Sequence, residues 1–437
     1  MFARRLSTIS HRVATAGIFP VAGYLTHVHT NILKAVLPSA PLGAVCAVQR
    51  RCGPPLKAEV VGIADGVVSL SPCGGTEGLV EGACVTVVDT ELRLPLCKGL
   101  KGRVVDAFLS PIDGKGQITG QLTLLPVRRT SSPPMSRPLI SKPFVTGIRA
   151  IDGLTTLGTG QRISLFGSPG TGKTSMIGML SQHCKADITV IGLVGERGRE
   201  VREFVDDVLP AKLRKRAVVV AATSERPAME RATCALTATT VAEYFRDRGN
   251  NVFLLIDSLT RTARALREIG LAAGEAPTRR GYPASVYPAL PAIIERAGRN
   301  KSGSITAIYT VLTEGEIQAD PIAEEVKSLT DGHLVLSRDL ARTAHFPAFD
   351  MSESLSRLMA RIAEPAHRDA ADLIRRLLAK YDEIEMLLQV GEYTEGTDPE
   401  ADHAIAARES IRAFLMQRSD EDSKFQLTLQ RLQGLVA

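Results

Sequence analysis

The chain has 437 residues, of which 44% are hydrophobic and 23% charged, so it is long enough for two or three globular domains and has the composition of an ordinary folded protein. Its net charge of +6, from 53 basic and 47 acidic side chains, is too small an excess to demand a nucleic-acid partner. The seven scattered cysteines contain no CxxC pair, which argues against a zinc site or a disulfide framework and favours a reducing cytosol. The sequence contains no apolar run of about 18 residues, so we expect no transmembrane helix.

The N-terminal segment is basic. Its first residues, MFARRLSTISHRVATAGIF, are rich in Arg and Ser, and the first acidic residue of the chain is Glu59. This composition is typical of an organelle transit peptide, and equally of a basic amphipathic segment that docks on a membrane surface or a partner. We interpret residues 1–25 as a docking segment, for a reason given below.

Residues 26–97 are predicted to form a small β-barrel. The runs GAVCAVQ, AEVVGIADGVVSLSP and GACVTVVDTELRLPL are β-rich and are separated by Gly and Pro. Short strands at this spacing are typical of barrels.

From about residue 145 the pattern changes to strands that alternate with helices, which is typical of a parallel α/β sheet. The predicted strands are 162–166, 187–194, 217–222, 251–256 and 304–312, and the predicted helices include Lys173–His183 and Met229–Arg248. After about residue 352 only helical patterning remains. We therefore assign residues 98–351 to an α/β domain and residues 352–437 to a helical domain.

The stretch GSPGTGKT at 167–174 follows a predicted strand, begins a predicted helix and matches G-x-x-x-x-G-K-[ST] without a mismatch. The glycines let backbone N–H groups face phosphate oxygens, and the helix N-terminus adds its positive dipole end. We expect Lys173 to contact the β- and γ-phosphates of ATP and the Thr174 hydroxyl to bind Mg²⁺. The predicted nucleotide-binding residues are Gly167, Ser168, Pro169, Gly170, Thr171, Gly172, Lys173, Thr174 and Ser175.

Two carboxylates lie at the ends of other predicted strands. Asp257 ends the apolar run NVFLLID, where a carboxylate is costly unless it is paired or binds a metal, so we expect it to be the second Mg²⁺ ligand. Glu196 follows the strand after the P-loop helix, and strand carboxyl ends converge on the ligand crevice of a parallel sheet. Glu196 is therefore a candidate for orienting the attacking water. The local sequence fits a loop acid paired with Arg197 or Arg199 equally well.

Several longer stretches resemble the hexameric rotary-type ATPases, and the set is most similar to the type III protein-secretion ATPases, including the flagellar export ATPase. They are GERGREVREF, IDSLTRTARALREIG, GEAPTRRGYPASVYPALPAIIERAG, GSITAIYTVL, DPIAEEVKSLTDGHLVLSR and ESLSRLM. The C-terminal GEYTEGTDPEADHAI resembles the export branch. The resemblance runs from about residue 40 to the C-terminus and implies a RecA-like P-loop NTPase core with an N-terminal β-barrel and a C-terminal helical domain.

The resemblance also implies roles for single residues. Glu196 would polarise the attacking water. Arg197 would support the position of Glu196 and link it to the subunit interface. Arg261 would lie near the phosphates. Arg357 would be the arginine finger that reaches the site of the neighbouring subunit, and Phe346 would stack on adenine. Local sequence alone would favour a surface arginine and a core aromatic at these last two positions.

The activity that the resemblance implies is Mg²⁺-dependent ATP hydrolysis that energises type III protein export, detaching chaperones from secreted substrates and unfolding them. The expected partners are other copies of the chain in a homohexamer, stator and central-stalk proteins, and chaperone–effector complexes. The expected location is cytoplasmic, peripheral at the inner membrane. A basic N-terminus would then dock on a stator-like partner or an acidic membrane, which favours docking over a transit peptide.

Three alternatives compete with this interpretation. A rotary ATP synthase or vacuolar-type catalytic subunit is disfavoured by the export-like C-terminus. A ring RNA helicase would need an aromatic and basic stacking face on its barrel, yet the only aromatic residues in 1–110 are Phe2, Phe19, Tyr24 and Phe108, so we expect no nucleic-acid partner. A non-catalytic nucleotide-binding subunit would be expected to lack Glu196 or Lys173.

Overall fold

The computed structural model describes residues 21–313, 315 and 317–436, so residues 1–20 of the predicted docking segment lie outside it. A β-barrel, a central α/β domain and C-terminal helices follow one another along the described chain. The predicted fold class is confirmed.

The described residues close a six-stranded antiparallel barrel in the order β1-β2-β5-β4-β3-β6. The strands are β1 (Ala22–Val28), β2 (Leu33–Val36), β3 (Val45–Val48), β4 (Leu56–Ala64), β5 (Val67–Pro72) and β6 (Cys84–Asp89). In β2, Leu33 and Ala35 are buried while Lys34 is exposed, because successive side chains of a strand point to opposite faces. The barrel thus begins at Ala22, within the range 1–25 that the sequence assigns to docking.

The central sheet has nine strands among the described residues, in the order β19-β18-β12-β17-β15-β13-β14-β8, with β16 paired to β17. They are β8 (Arg103–Val105), β12 (Arg162–Gly167), β13 (Ile188–Val194), β14 (Ala217–Ala222), β15 (Asn251–Asp257), β16 (Gly298–Arg299), β17 (Ser304–Leu312), β18 (Gly332–Leu336) and β19 (Phe349–Ser356). All pairs from β18 to β8 along this order are parallel. Every residue of β13 and β14 is buried, as expected for parallel strands covered on both faces.

Two short ribbons accompany these sheets: β7 (Arg93–Leu96) pairs with β9 (Thr123–Pro126), and β10 (Pro143–Phe144) pairs with β11 (Leu157–Gly158). The α-helices are α1 (Arg149–Leu154), α2 (Lys173–His183), α3 (Gly198–Glu203), α4 (Ala211–Arg214), α5 (Ala228–Arg246), α6 (Leu259–Ala272), α7 (Val286–Ile294), α8 (Pro321–Leu329), α9 (Arg338–Arg342), α10 (Met359–Ile362), α11 (Pro365–Val390), α12 (Pro399–Leu415) and α13 (Phe425–Gly434). In the part of the chain that the structure describes, none of them is long and apolar enough to cross a bilayer.

Two hydrophobic cores hold the helices against opposite faces of the sheet. On one face α5 packs closely on β13, where a Cβ added to Gly192 would lie 3.0 Å from the Cβ of Ala238. On the other face one hydrophobic cluster includes residues of α1, α2 and the C-terminal helices α11 to α13, and α1 contacts all three of these C-terminal helices. Both cores rest on the same strands, which makes the sheet a rigid base for the side chains at its edge.

The prediction that only helices follow residue 352 is wrong, because β19 continues to Ser356. This strand pairs antiparallel with β18 at the edge of the sheet, with Gly332 opposite Ser356 and Leu336 opposite Phe349. Its sequence, FDMSESLS, is polar because much of the strand faces solvent, so it lacks the apolar run of a central strand. The predicted boundary between 351 and 352 falls inside this strand.

Candidate functional site

A P-loop connects β12 to α2 at the carboxyl edge of the parallel sheet. Gly170 and Gly172 have φ angles of 85° and 83°, the left-handed region that glycine adopts without strain. No atom lies within 4 Å of the position that a Cβ on Gly170 would take, so the loop faces open space. The side chains of Thr174 and Ser175, in the first turn of α2, are exposed. The loop therefore has the space and the backbone geometry for a phosphate.

Hydroxyl groups hold the loop in this shape. Thr171 Oγ1 donates to the carbonyl oxygen of Ser168 at 2.8 Å, and Ser168 Oγ donates to the carbonyl oxygen of Thr313 at 2.9 Å. Thr171 is buried. Because these bonds lie within the protein, the phosphate-binding shape does not depend on a ligand to maintain it.

An ammonium group and two carboxylates from three different segments meet beside the loop. Lys173 Nζ lies 2.6 Å from Asp257 Oδ1 and 3.9 Å from Glu196 Oε1. Asp257 ends β15, and Glu196 follows β13 after the turn at Gly195, whose φ is 67°. The structure thus brings together the three charged residues that the sequence assigned to phosphate, metal and water.

Glu196 is not a loop acid on the surface. Its side chain is only 12% exposed, and its Oε2 lies 2.8 Å from a guanidinium nitrogen of Arg261, which also donates to the carbonyl oxygen of Gly195. Its Oε1 is buried and has no hydrogen-bond partner among the described residues. A buried carboxylate oxygen without a donor is a place where a water molecule is expected, because such oxygens are normally hydrogen-bonded.

The surroundings of Glu196 change its acidity. Burial, and after it the nearby Asp257 carboxylate, raise its pKa to about 7, although the positive charges of Lys173 and Arg261 act to lower it. The neighbouring Glu200 carboxyl group also raises the pKa of Glu196, and its own pKa is lowered in turn. The carboxyl group is therefore poised to change protonation near neutral pH, as is useful for a group that handles a proton.

Asp257 and Thr174 fit a magnesium site. Mg²⁺ prefers oxygen ligands and is usually held by one or two protein groups together with substrate phosphates and water. The Asp257 carboxylate at the end of β15 and the Thr174 hydroxyl in the first turn of α2 both offer oxygen atoms of this kind. Thr310 Oγ1, which the sequence did not predict as part of the site, donates to Asp257 Oδ1 at 2.6 Å. No cluster of three or more His, Cys, Asp or Glu side chains able to hold a metal occurs in the described residues.

Phe346 lies next to the P-loop, as expected for an adenine-stacking residue. Its ring would be 3.4 Å from a Cβ on Gly172, and its side chain is 44% exposed, so one face is open. With Met176 and Arg418 it lines a cavity of about 270 Å³. The backbone N–H of Gln417 donates to the Phe346 carbonyl oxygen at 2.9 Å, so the C-terminal segment supports this wall.

Two predicted residues lie away from this group. Arg197 precedes α3, is 77% exposed and contacts Glu200 at 3.5 Å, while the arginine that contacts Glu196 is Arg261. Arg357 is exposed and follows β19, whose end pairs with the start of β18. The other end of β18, at Leu336, pairs with Gly167 at the end of the P-loop strand β12. Arg357 therefore lies near the amino ends of these parallel strands, whereas the P-loop of its own chain lies at their carboxyl ends.

Comparisons with known proteins agree with this geometry. The family model for the ATP synthase alpha/beta family, nucleotide-binding domain, matches residues 147–356, and that for the T3SS EscN ATPase C-terminal domain matches residues 363–434. The chain is 48% identical to the type 3 secretion system ATPase of Sinorhizobium fredii (strain NBRC 101917 / NGR234), over 94% of this chain and 91% of the relative. It is 45% identical to the flagellum-specific ATP synthase of Treponema pallidum (strain Nichols), over 95% and 93%.

A solved structure is similar over nearly the whole chain. It is the assembled ATPase EscN in complex with its central stalk EscO from the enteropathogenic E. coli type III secretion system. The TM-score is 0.88 at 42% identity, and the match covers 95% of this chain and 100% of that one.

The raised pKa of Glu196 predicts the pH dependence of hydrolysis. We expect kcat/KM for ATP to fall as the pH falls through about 7, because only the ionised carboxylate can take a proton from the attacking water and kcat/KM reports ionisations of the free enzyme. The affinity of a Glu196→Gln variant for Mg²⁺-ATP, measured over the same pH range, shows how much of the change comes from the ionisation of ATP itself, and kcat/KM is corrected by that amount. A corrected kcat/KM that stays constant down to the ordinary glutamate pKa of about 4.3 would contradict the prediction.

Proposed function

The chain belongs to the type III secretion system ATPases, relatives of the ATP synthase alpha/beta family, and from this premise we propose that it hydrolyses Mg²⁺-bound ATP in a homohexameric ring to drive protein export. The observation that carries the proposal is the buried Glu196 Oε1, which lies 3.9 Å from the P-loop lysine and has no hydrogen-bond partner within the described part of the chain. A nucleotide-binding subunit without activity would not need an unpaired carboxylate oxygen at that place.

Nucleotide binding exchanges the partners of Lys173. In the structure its ammonium group pairs with Asp257, and the triphosphate would take its place as the partner of the lysine. Thr174 and Asp257 would then hold Mg²⁺, which supplies positive charge to the phosphoryl oxygens. The open face of Phe346 would receive the adenine, and the N–H groups of the loop would bind the phosphates.

Glu196 would orient the attacking water. Arg261 holds Oε2 at 2.8 Å, so the carboxylate is fixed with Oε1 directed toward the P-loop lysine. A water bound to Oε1 would lie on the γ-phosphate side of the crevice, positioned for in-line attack. In this arrangement Arg261 acts on the phosphates through the carboxylate that it orients.

Each site would be completed by a neighbouring subunit. The exposed Arg357 lies beside the start of β18, whereas the P-loop lies beyond the end of that strand, which supports a role for Arg357 outside the site of its own chain. In a ring it would reach the site of the next subunit and stabilise charge on the transferring phosphoryl group, an effect worth about 10³- to 10⁵-fold in rate. The exposed Arg197 would lie at the same interface and connect it to the segment that carries Glu196.

Hydrolysis in the ring would detach chaperones from secreted proteins and unfold those proteins at the base of the secretion apparatus. The similar EscN structure is bound to a central stalk. In this chain the C-terminal end of α11 exposes Met386, Leu387 and Val390, the first of them to 75%, which is apolar surface that a stalk protein would cover. The ring would act in the cytoplasm, peripherally at the inner membrane, where stator proteins and chaperone–effector complexes meet it.

The basic segment 1–25 would dock the ring on a stator-like partner or on an acidic membrane surface. Arg4, Arg5 and Arg12 supply positive charge without a neighbouring acid. Since β1 begins at Ala22, residues 22–25 belong to the barrel itself, and the residues before them would attach the barrel end of each subunit.

Replacing Glu196 by Gln tests the role of the carboxylate. We expect ATP binding to persist while turnover falls about 10²- to 10⁴-fold, the usual contribution of a positioned proton acceptor. Equilibrium binding of a fluorescent ATP analogue and phosphate release measure the two properties. Glu203→Gln, which alters an exposed carboxylate of α3, is the matched control and should retain wild-type turnover. Turnover of Glu196→Gln close to that of the control would show that Glu196 is not needed.

Co-assembly of two inactive variants tests whether Arg357 acts between subunits. Lys173→Ala removes the phosphate contact and Arg357→Ala removes the finger, so each ring alone should be inactive. Rings assembled from a mixture contain some sites with Lys173 from one subunit and Arg357 from the next, and these should hydrolyse ATP. A mixed ring no more active than the sum of the two pure rings would contradict action between subunits.

Deleting residues 1–20 tests docking without cutting β1. The truncated protein should hydrolyse ATP normally but no longer sediment with membranes from the cells that produce it. Vesicles of purified anionic lipid distinguish a lipid target from a protein target, and an Arg4→Gln, Arg5→Gln, Arg12→Gln variant tests charge alone. Undiminished sedimentation of the truncated protein would refute the docking role.

A further inference from the structure

Thr310 lies beside Asp257 on the neighbouring strand. In the parallel pair of β15 and β17, Ile256 is opposite Tyr309, so the next residues along, Asp257 and Thr310, are adjacent at the carboxyl edge. Thr310 is completely buried, and its hydroxyl donates to Asp257 Oδ1 at 2.6 Å. A hydrogen bond to an ionised acceptor is stronger than one between neutral groups, so this bond fixes the carboxylate firmly.

Two donors share one oxygen of Asp257. Lys173 Nζ also contacts Oδ1 at 2.6 Å, and no donor in the described residues contacts Oδ2. Once Lys173 pairs with phosphate, Thr310 is the donor that remains on Oδ1. The carboxylate would then keep its orientation, with Oδ2 available to a cation.

Several other buried threonine hydroxyls in the described sheet and helices bond to the backbone. Thr306 lies four residues earlier on β17, on the same face, and its hydroxyl accepts from the N–H of Gly160 at 2.9 Å. Thr262 donates to the carbonyl oxygen of Ser258. Thr310 differs from these because its hydroxyl donates to a carboxylate of the site. The bond therefore affects the orientation of a site residue in addition to satisfying a buried hydroxyl.

We propose that Thr310 is a positioning residue for metal binding: its hydroxyl fixes the Asp257 carboxylate so that Oδ2 is directed at Mg²⁺ after Lys173 has moved to the phosphates. This inference rests on the proposed role of Asp257 as a metal ligand. Groups that orient a metal ligand typically contribute about 10- to 100-fold to metal affinity.

The test measures metal binding directly. Mn²⁺, which is visible by electron paramagnetic resonance, is titrated into the full-length ADP-loaded protein. Thr310→Val and Thr310→Ala, which both lack the hydroxyl, should weaken Mn²⁺ binding about 10- to 100-fold. Their affinity for ADP without metal should remain that of the wild type. Thr310→Ser, which keeps the hydroxyl, should restore Mn²⁺ binding.

Two further variants separate this role from a general loss of structure. Thr306→Val removes a buried hydroxyl from the same strand and should leave Mn²⁺ affinity unchanged. Asp257→Asn should weaken Mn²⁺ binding at least as much as Thr310→Val.

If Asp257→Asn weakens binding while Thr310→Val and Thr310→Ala do not, the positioning role of Thr310 is wrong and the metal site stands. If Asp257→Asn binds Mn²⁺ like the wild type, the proposed metal site itself is wrong. A serine variant as weak as the valine variant would also overturn the proposal, because packing and not the hydroxyl would then be responsible.

Discussion

Buried charges at the carboxyl edge of the sheet must neutralise one another, and this requirement determines the rest of the site. An unpaired charge taken out of water costs several kcal/mol, so each ionised group there needs a partner of opposite sign. Lys173 has Asp257, and Arg261 has Glu196. Mg²⁺-ATP carries both signs of charge, so its phosphates would replace Asp257 at the lysine while its cation would replace the lysine at Asp257. Binding would then exchange the partners, and no buried charge would be left without one.

The strand order makes this exchange possible. β12, β15 and β13 are all parallel members of one sheet, so the P-loop, Asp257 and the segment with Glu196 emerge at the same edge. Both faces of the sheet are covered by hydrophobic cores, which fixes these strand ends relative to one another. The groups that do not move are held by bonds within the protein: Thr171 to Ser168 in the loop, and Thr310 to Asp257. In the proposed exchange, Lys173 is the group whose partner changes.

The sequence predicted those parts of the fold and site whose cause is local. The helix Lys173–His183 and the strands 217–222 and 304–312 have the predicted bounds, because a P-loop or a long apolar run determines each of them. The edge strand β19 was missed, since its polar sequence forms a strand only through pairing with β18. The bonds from Arg261 to Glu196 and from Thr310 to Asp257 join residues 65 and 53 positions apart, so no local pattern indicates them. Local sequence had suggested Arg197 or Arg199 as the partner of Glu196.

The central claim is that Lys173 leaves Asp257 for the phosphates and that Glu196 then holds the attacking water. It is tested most directly by a structure of the assembled protein with Mg²⁺, ADP and a planar mimic of the transferring phosphoryl group. The account predicts that Lys173 Nζ contacts the mimic, that Thr310 still donates to Asp257, and that Glu196 Oε1 hydrogen-bonds the water in line with the mimic. A structure in which Lys173 keeps its bond to Asp257, or in which Glu196 turns away from that water, would contradict it.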